Sequence, residues 1–491
     1  MDYFSLTFLG TWLLGLLVFY ILNARWQWLS LLIISFILYV VFVNSPPIVL
    51  ILVSIMTYGA TRVIRAQNRE TLRFACYSRV IRNIVIIASL FLLIVSRSTR
   101  WISNLGNSYF TLKAIGYLID CERYDDEEYY EKDFLFFVFY LIYFPTVSQG
   151  PFNRYRDFKR QFSERIRFEY VGFMHGFQRF LWGTFKKLVI TPRLGEMGTL
   201  VFENISGISG FALMMGLLAK TIYYYMDFSS YMDMMIGVSS TFGVDIPENF
   251  RQPFFSKSIA EFWRRWHMTM GEWFKDYIMI PFIQSKIGRT IKRKAKRYGK
   301  DASRTIPLVA GTFLVWIATS MWHGIGRSYF LWGMYYCAII VLSLLLENRY
   351  RRIRNILHIN EESLWYSVFR MLRTCILVML ANLIQLSNSF EDFRYALGRI
   401  IGSDFFIRDA SITLEKLGWG EMKDAYVLVL SLIVFFIVSV LKERGYNILA
   451  KLDKCRAPFR WLVYYVIIFT ILCFGRYGSG YDPSKFLYTN F

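Results

Sequence analysis

The chain has 491 residues, of which 55% are hydrophobic and 19% are charged, whereas charged residues make up roughly 25% of an ordinary soluble protein. This composition excludes a soluble globular protein and predicts an integral membrane protein. A net charge of +21 suggests nucleic acid binding in a soluble protein, but in a membrane protein basic loops set the topology, so no nucleic-acid partner is expected.

The apolar stretches predict an all-α polytopic membrane protein with ten or more transmembrane helices. About 20 apolar residues cross a hydrocarbon core roughly 30 Å thick, and the shorter stretches predict tilted or re-entrant segments. The first stretch begins at Phe4 with no basic region and no cleavage site before Arg25, which predicts a retained helix rather than a signal peptide. The predicted spans are Phe4–Leu22, Trp28–Val43, Pro47–Ala60, Asn83–Val95, Phe134–Val147, Val171–Ile190, Ile208–Tyr225, Met232–Phe242, Ile306–Trp322, Ser328–Leu346, Tyr366–Leu386, Ala425–Leu441 and Trp461–Phe474.

Three basic loops predict the orientation of these spans. They lie at Arg62–Arg82, at Lys286–Arg304 and at Arg349–Arg354. Because short basic loops stay on the cytoplasmic side, all three are predicted to be cytoplasmic. The sequence shows no internal repeat, which argues against a transporter built from two related halves.

The stretch "FPTVSQGPFNRYRDF", residues 144–158, closes a hydrophobic segment with proline and glycine and then adds Arg154 and Arg156. This pattern predicts a re-entrant turn. The two arginines either anchor the turn at the interface or bind an anionic ligand.

Two carboxylates, Asp227 and Asp233, interrupt the apolar passage "YYYMDFSSYMDMMIG". Carboxylates at membrane depth serve in a proton path, pair with an arginine or accept hydrogen bonds at a helix end. The adjacent Ser229 and Ser230 predict a broken helix, and this favours a structural role.

The stretch "SKSIAEFWRRWHMTMGEWFKDYIMIPF" predicts an amphipathic helix along the inner interface. Ser258 and Glu261 have the spacing of a capping box. His267 lies at the edge of the apolar stripe, and for a lone interfacial histidine a structural role is favoured over a functional one. The stripe consists of Ile259, Phe262, Trp263, Trp266, Met270, Trp273, Phe274 and Tyr277.

The stretch "TSMWHGIG" ends the uncharged run Ile306–Trp322 on a histidine, although the chain has only 4 histidines. With basic loops on both sides, this run and the next span predict a helical hairpin whose tip holds Gly324 and Gly326. The run rises about 25 Å, so His323 is expected within the membrane near its outer side. An ionisable side chain there favours function, the alternative being a histidine bound to a core carbonyl.

Together these stretches, with the ending "FLYTNF", resemble the membrane-bound O-acyltransferase family, in the bacterial branch of alginate O-acetyltransferases and the D-alanyl transfer protein of teichoic acid synthesis. The resemblance covers roughly residues 110–335 and the last dozen. It implies one domain over 1–491: N-terminal helices to 105, a catalytic core 106–346, C-terminal helices 347–474 and a tail 475–491. It also implies a ring of helices around a funnel and a narrow passage, in a bacterial plasma membrane.

The resemblance implies roles for particular residues. His323 matches the near-invariant histidine of the family, the general base, and His267 matches its second histidine. The tail matches an F-x-Y-x-x-F motif in which Tyr488 carries the acyl group between donor and acceptor. The residues expected to bind substrate are Arg154, Arg156, Asp227, Asn249, Trp263, Trp266 and Trp322. No metal and no permanently bound cofactor is expected.

The implied reaction moves an acyl group from a cytoplasmic thioester, acetyl-CoA or an acyl carrier protein, to hydroxyls of an exported polymer. Because the motif is fused to the chain, we expect O-acetylation of a cell-envelope polysaccharide, with D-alanylation of teichoic acid as the alternative. The expected partners are the bilayer, the polymer, an extracytoplasmic SGNH-type acyltransferase and, if the donor is not acetyl-CoA, a cytoplasmic carrier protein. A transporter or flippase that relays protons through Asp227, Asp233 and His323 is the hypothesis from another class.

Overall fold

The computed structural model describes residues 3–42, 46–68, 75–98, 106–203, 208–324, 326–387, 389–402 and 422–477. These residues form helices and no β-strand, apart from one bridge pair between Phe250 and Trp266. Eight helices of this part of the chain are long and apolar enough to cross a membrane. The prediction of an all-α, multi-pass membrane protein is confirmed, whereas the number of spans and the ring with its funnel stay predictions.

The chain divides into two compact units, one built from Met1–Thr184 and Ser230–Glu248 and the other from Phe185–Ser229 and Asn249–Arg476. The single domain predicted over 1–491 stays a prediction. The helices that begin in the first unit are α1 Leu6–Ile21, α2 Ala24–Phe42, α3 Ile48–Asn68, α4 Ala75–Ser98, α5 Asn107–Arg123, α6 Phe134–Ile142, α7 Phe144–Val147, α8 Tyr155–Arg160 and α9 Tyr170–Phe185.

The helices that begin in the second unit follow a π-helical turn at Lys186–Ile190. They are α10 Thr191–Glu203, α11 Gly210–Thr241, α12 Ile259–Arg265, α13 Met268–Phe274, α14 Ile280–Gln284, α15 Lys286–Ala295, α16 Lys300–His323, α17 Arg327–Ile356, α18 Leu364–Leu386, α19 Phe390–Ile401, α20 Met422–Glu443, α21 Ile448–Asp453 and α22 Ala457–Phe474. The basic segment predicted as a loop before Ile306 is therefore largely helical, as α15 and the first turns of α16.

In the first unit, the stretch 144–158 forms the predicted re-entrant turn. α6 starts at Asp133, whose carboxylate accepts a hydrogen bond from the Leu135 N–H at 2.8 Å. After the short α7 the chain turns and returns to the same face, where the Arg156 guanidinium donates to the Tyr129 hydroxyl at 2.6 Å. Both ends of the turn thus meet the acidic segment that follows α5. The turn is present, and its re-entry into the membrane stays a prediction.

α11 runs without interruption from Gly210 to Thr241, so the break predicted at Ser229 and Ser230 is wrong. Two predicted spans, before and after this serine pair, are parts of one helix. The physical reason is that the polar groups find partners from the side: Ser229 accepts a hydrogen bond from the Lys186 ammonium at 2.8 Å. A helix whose polar side chains are paired needs no break to satisfy them.

In the second unit, α16 and α17 form the predicted hairpin. The rings of Trp316 and Tyr336 stack at a centroid distance of 5.3 Å. Gly333 lies so close to α16 that a Cβ atom there would overlap the Ser320 hydroxyl. Since lipid removes the hydrophobic drive for helix association, close packing of small residues is what holds such a pair together.

Candidate functional site

His323 is the last residue of α16 and lies at the tip of the hairpin. Its side chain is buried, and aromatic rings surround it. The Trp322 ring lies edge-on at 4.7 Å and the Trp332 ring at 4.9 Å, both centroid distances, while Tyr329 stacks at 6.3 Å. The His323 imidazole at the tip is therefore surrounded by aromatic rings. The predicted position of His323 at the end of the span is confirmed.

His267 does not lie within one long amphipathic helix, as the sequence suggested. α12 ends at Arg265 and α13 starts at Met268, and His267 between them has a positive φ of 46°. The break arises because an extended segment pairs with the chain here: the Arg251 N–H donates to the Arg265 carbonyl and the Met268 N–H donates to the Asn249 carbonyl, both at 2.9 Å. The continuous helix is therefore wrong, and the break turns His267 into the protein.

The Asn249 carboxamide orients the His267 ring. Its Oδ1 atom accepts hydrogen bonds from the Thr269 N–H at 3.2 Å and from the Thr269 hydroxyl at 2.9 Å, and the His267 Nδ1 atom lies 3.1 Å away. A backbone N–H can only donate, so the Asn249 atom is the oxygen and His267 Nδ1 must carry the proton. The neutral ring then has its lone pair on Nε2.

His267 and His323 belong to the same site. The Trp322 ring, next to His323 in the chain, lies 6.0 Å from the His267 ring between centroids. Phe228 of α11 packs edge-on against the other side of His267 at 4.9 Å. Burial, and to a lesser degree the nearby His323 imidazole, lowers the pKa of His267 from 6.5 to about 3. His267 is thus neutral throughout the physiological pH range.

The lowered pKa of His267 predicts a stability that depends on pH. Below pH 6.5 the unfolded chain takes up a proton at this residue, whereas the folded chain does so only near pH 3, so stability falls as the pH falls through this window. We expect His267→Asn, which suits a positive φ and does not titrate, to make the melting temperature in detergent fall less steeply between pH 6.5 and 4. Equal slopes for wild type and variant would contradict the burial of a neutral His267.

Of the predicted tryptophans, Trp322 touches both histidines, and Trp263 and Trp266 belong to the aromatic cluster that contains Trp332. Trp332, which touches His323, also packs against Trp263 at 5.6 Å between centroids. Trp266 stacks on Phe262 at 5.4 Å between centroids. Sequence reasoning missed Trp332 and Phe228, because the chain has 14 tryptophans, 33 tyrosines and 45 phenylalanines and a single aromatic residue among these 92 carries no signal of its own.

Asp227 forms an ion pair with Lys187 of the π-helical turn at 2.7 Å, and both side chains are buried. Asp233, in the first unit, pairs with Arg179 at 3.0 Å. Both pairs favour the structural interpretation of the two carboxylates, and substrate binding by Asp227 stays a prediction. The lysines were missed, although two adjacent lysines inside an apolar run are themselves a signal of buried partners.

The other predicted site residues are two arginines and the tyrosine of the tail. Arg154 and Arg156 belong to the first unit, and Arg156 lies 5.2 Å above the Tyr129 ring and 3.7 Å from the Glu128 carboxylate. These contacts agree with the anchoring alternative, and ligand binding by either arginine stays a prediction. Tyr488 lies outside the described residues.

Comparison with known proteins adds to this geometry. The model of the membrane-bound O-acyltransferase family, MBOAT, matches residues 36–295, which include Asn249 and His267 and end before His323.

Curated relatives match about half to two thirds of the chain. The probable alginate O-acetylase AlgI of Pseudomonas syringae pv. tomato is 30% identical over 305 residues, 62% of this chain and 52% of that protein. The teichoic acid D-alanyltransferase of Bacillus subtilis is 30% identical over 49% of this chain and 58% of its own length. The peptidoglycan O-acetyltransferase of Helicobacter pylori is 26% identical over 47% of this chain and 45% of its own length. The chain thus spans about half the length of the curated relatives it matches.

Proposed function

Because the chain belongs to the membrane-bound O-acyltransferase family, we propose that it transfers an acyl group from a thioester at the cytoplasmic face to hydroxyls of an exported cell-envelope polymer. The thioester is a substrate, carried by coenzyme A or by an acyl carrier protein, rather than a resident cofactor. The observation that carries the proposal is the pair of buried imidazoles, His267 and His323, on the two sides of Trp322.

The pair suits acyl transfer to a hydroxyl. A hydroxyl attacks a thioester only when a base takes its proton. His267 has a pKa near 3 and removes protons poorly at neutral pH, so we assign the base to His323 and assign to His267 the role of a neutral hydrogen-bonding group oriented by Asn249. The surrounding aromatic rings keep out the water that would otherwise hydrolyse the thioester.

The proposed reaction has two balanced steps. In the first, the Tyr488 hydroxyl loses its proton to His323 and attacks the thioester carbonyl, the C–S bond breaks, and the thiolate takes the proton. In the second, a polymer hydroxyl loses its proton to the same base and attacks the tyrosyl ester, and the bond between the acyl carbon and the Tyr488 oxygen breaks. The Tyr488 phenolate takes the proton from His323, so its hydroxyl is restored and the acyl group is on the polymer.

The relay predicts that Tyr488→Phe reduces acyl transfer to background, because the phenyl ring has no hydroxyl to acylate. The matched control is Tyr481→Phe, which removes the same atom from the same tail. Intact-protein and peptide mass spectrometry of wild type given thioester but no polymer should show one acyl group on Tyr488. Transfer at the wild-type rate by Tyr488→Phe would contradict the relay and leave direct transfer to the polymer.

We propose acetyl as the acyl group and a polysaccharide as the acceptor, completed on the outer side by an SGNH-type acyltransferase. The similarity to the alginate O-acetylase supports this assignment, and the similarity to the teichoic acid D-alanyltransferase supports D-alanyl transfer as the second candidate. Mass analysis of the Tyr488 adduct formed in cells distinguishes the two, since acetyl and D-alanyl groups differ in mass and charge.

The basic helix α15 lies next to the span that carries His323, and its ten residues include Lys286, Arg289, Lys292, Arg293 and Lys294. Such a helix attracts the phosphates of coenzyme A or the acidic face of a carrier protein, and it also retains its loop on the cytoplasmic side. We propose that α15 is the docking surface for the thioester donor.

A further inference from the structure

The re-entrant turn of the first unit carries two side-chain amides that the proposed chemistry leaves unused. Gln149 is fully buried and Asn153 is 6% exposed. None of their four side-chain nitrogen and oxygen atoms has a hydrogen-bond partner within the described part of the chain. Unpaired buried amides are costly and uncommon in native proteins, so a group that pairs with them when the protein works is the natural explanation.

Both amides lie on the part of the turn that packs against α5. Between them, the Phe152 ring stacks on Tyr109 at 5.1 Å between centroids. The Tyr140 hydroxyl donates to the Asn153 carbonyl at 3.0 Å, which fixes the backbone there. The two side chains, four positions apart, therefore lie on one turn whose backbone is fixed by these contacts.

The buried Lys113 amine borders the same turn. Lys113 of α5 donates to the Thr146 hydroxyl at 3.2 Å and to the Tyr140 carbonyl, and its Nζ lies 4.4 Å from the centre of the Tyr140 ring. The amine is therefore engaged within the fold, and it holds α5 against the turn. Among the described residues, the turn thus offers the donors and acceptors of two carboxamides in apolar surroundings.

The chain enters the turn through α6, which begins beside the basic end of α3. α6 descends from Asp133 over nine residues, about 14 Å, which is roughly half of the hydrocarbon core. At this starting end of α6, the Arg65 guanidinium at the end of α3 lies 5.6 Å from the centre of the Tyr130 ring and forms an ion pair with Asp125. This is the face that the positive-inside rule assigns to the cytoplasm, where a thioester donor arrives.

We propose that Gln149 and Asn153 bind the amide groups of the donor's pantetheine arm. This inference rests on the proposed function, since it takes the acyl group to arrive on a pantetheine thioester. Pantetheine carries secondary amides, each with one N–H donor and one carbonyl acceptor, which match the free capacity of a carboxamide side chain. Coenzyme A and an acyl carrier protein both present this arm, so the site is common to the two donors.

The test compares thioesters with and without amides. Gln149→Leu fills the same space without polar atoms, and we expect the melting temperature of the variant in detergent to equal or exceed that of wild type. We expect its kcat/KM with S-acetyl-pantetheine, with acetyl-CoA and with an acetylated carrier protein to fall about ten-fold, the worth of one hydrogen-bonded amide. The loss with amide-free S-acetyl-2-mercaptoethanol should be several-fold smaller, and Gln149→Leu with Asn153→Leu should widen this difference.

Gln161→Leu is the matched control. The Gln161 carboxamide accepts from the Asp245 N–H at 2.6 Å and donates to the Asp245 carbonyl at 2.9 Å, so the same substitution there should lower the melting temperature and affect all thioesters alike. Three outcomes overturn the inference. The first is a lower melting temperature for Gln149→Leu, and the second is an equal loss of kcat/KM with every thioester. The third is a change only in the KM for the polymer acceptor, which would mean that the amides bind a sugar.

Failure of the proposed function has a different signature. If wild type transfers an acyl group from no thioester, calorimetric titration with pantetheine itself still tests the site. Binding by wild type that is lost in the double leucine variant supports the inference, and equal or absent binding overturns it.

Discussion

His323→Asn should lower acyl transfer about 10²- to 10⁴-fold, the range over which a positioned general base contributes to a rate. Asparagine keeps a polar side chain of similar length at the end of α16 but cannot take a proton. The initial rate of polymer acylation, measured in membranes with equal amounts of folded protein, checks this result. It is one of the two largest effects that the structure predicts, since the base acts in both steps of the proposed reaction.

His358→Asn is the control for this prediction. His358 is exposed, lies just beyond the end of α17 and has a positive φ of 47°, which asparagine tolerates. We expect it to leave the rate within two-fold of wild type, on the scale of ordinary surface changes. A His323→Asn protein that acylates the polymer at the wild-type rate would remove His323 from the mechanism.

The buried ion pair between Lys187 and Asp227 predicts the largest effect on stability. Removing one partner leaves an uncompensated charge in the protein interior, and Lys187→Met should cost about 3–5 kcal/mol. Replacing both, as Lys187→Met with Asp227→Leu, should recover much of that loss because no charge is left without its partner. Thermal unfolding in detergent, followed by the fraction of protein that stays monodisperse, measures wild type and both variants.

The exposed pair Lys132–Glu127, at 3.0 Å, is the matched control. Lys132→Met should change stability by less than about 1 kcal/mol, because water screens a charge pair at the surface. If Lys187→Met were as mild as Lys132→Met, the charge at Asp227 would have to be neutralised by other means than the ion pair.

The sequence predicted the helices better than it predicted their ends. Hydropathy placed the α16–α17 hairpin correctly, because an apolar stretch of this length has few alternatives in a membrane. α16 nevertheless begins at Lys300 rather than Ile306, since a helix continues past the membrane surface into charged turns that hydropathy counts as loop. The break within α11 was predicted wrongly because a serine pair signals a bend only when its hydroxyls lack other partners, and here Lys186 provides one.

The site was predicted in part. His323 and His267 could be singled out because an imidazole among apolar residues is rare, and the family resemblance ranked them. The turn at His267 could not be predicted, because the segment around Asn249 that pairs with it is 18 positions away in the chain. The roles of Asn249 and Thr269 in fixing the proton on Nδ1 depend on that pairing and became visible only in three dimensions.

The close contact between Gly333 and Ser320 also bears on how the protein responds to its lipids. A bilayer that thickens or thins is matched by helices that tilt, and α16, whose 24 residues rise about 36 Å, has length to spare for such tilting. Because α16 and α17 touch at backbone distance, they must tilt as one body. The distance between His323 on α16 and Trp332 on α17 then stays constant when the helix pair tilts. The geometry of the reacting groups is therefore independent of membrane composition.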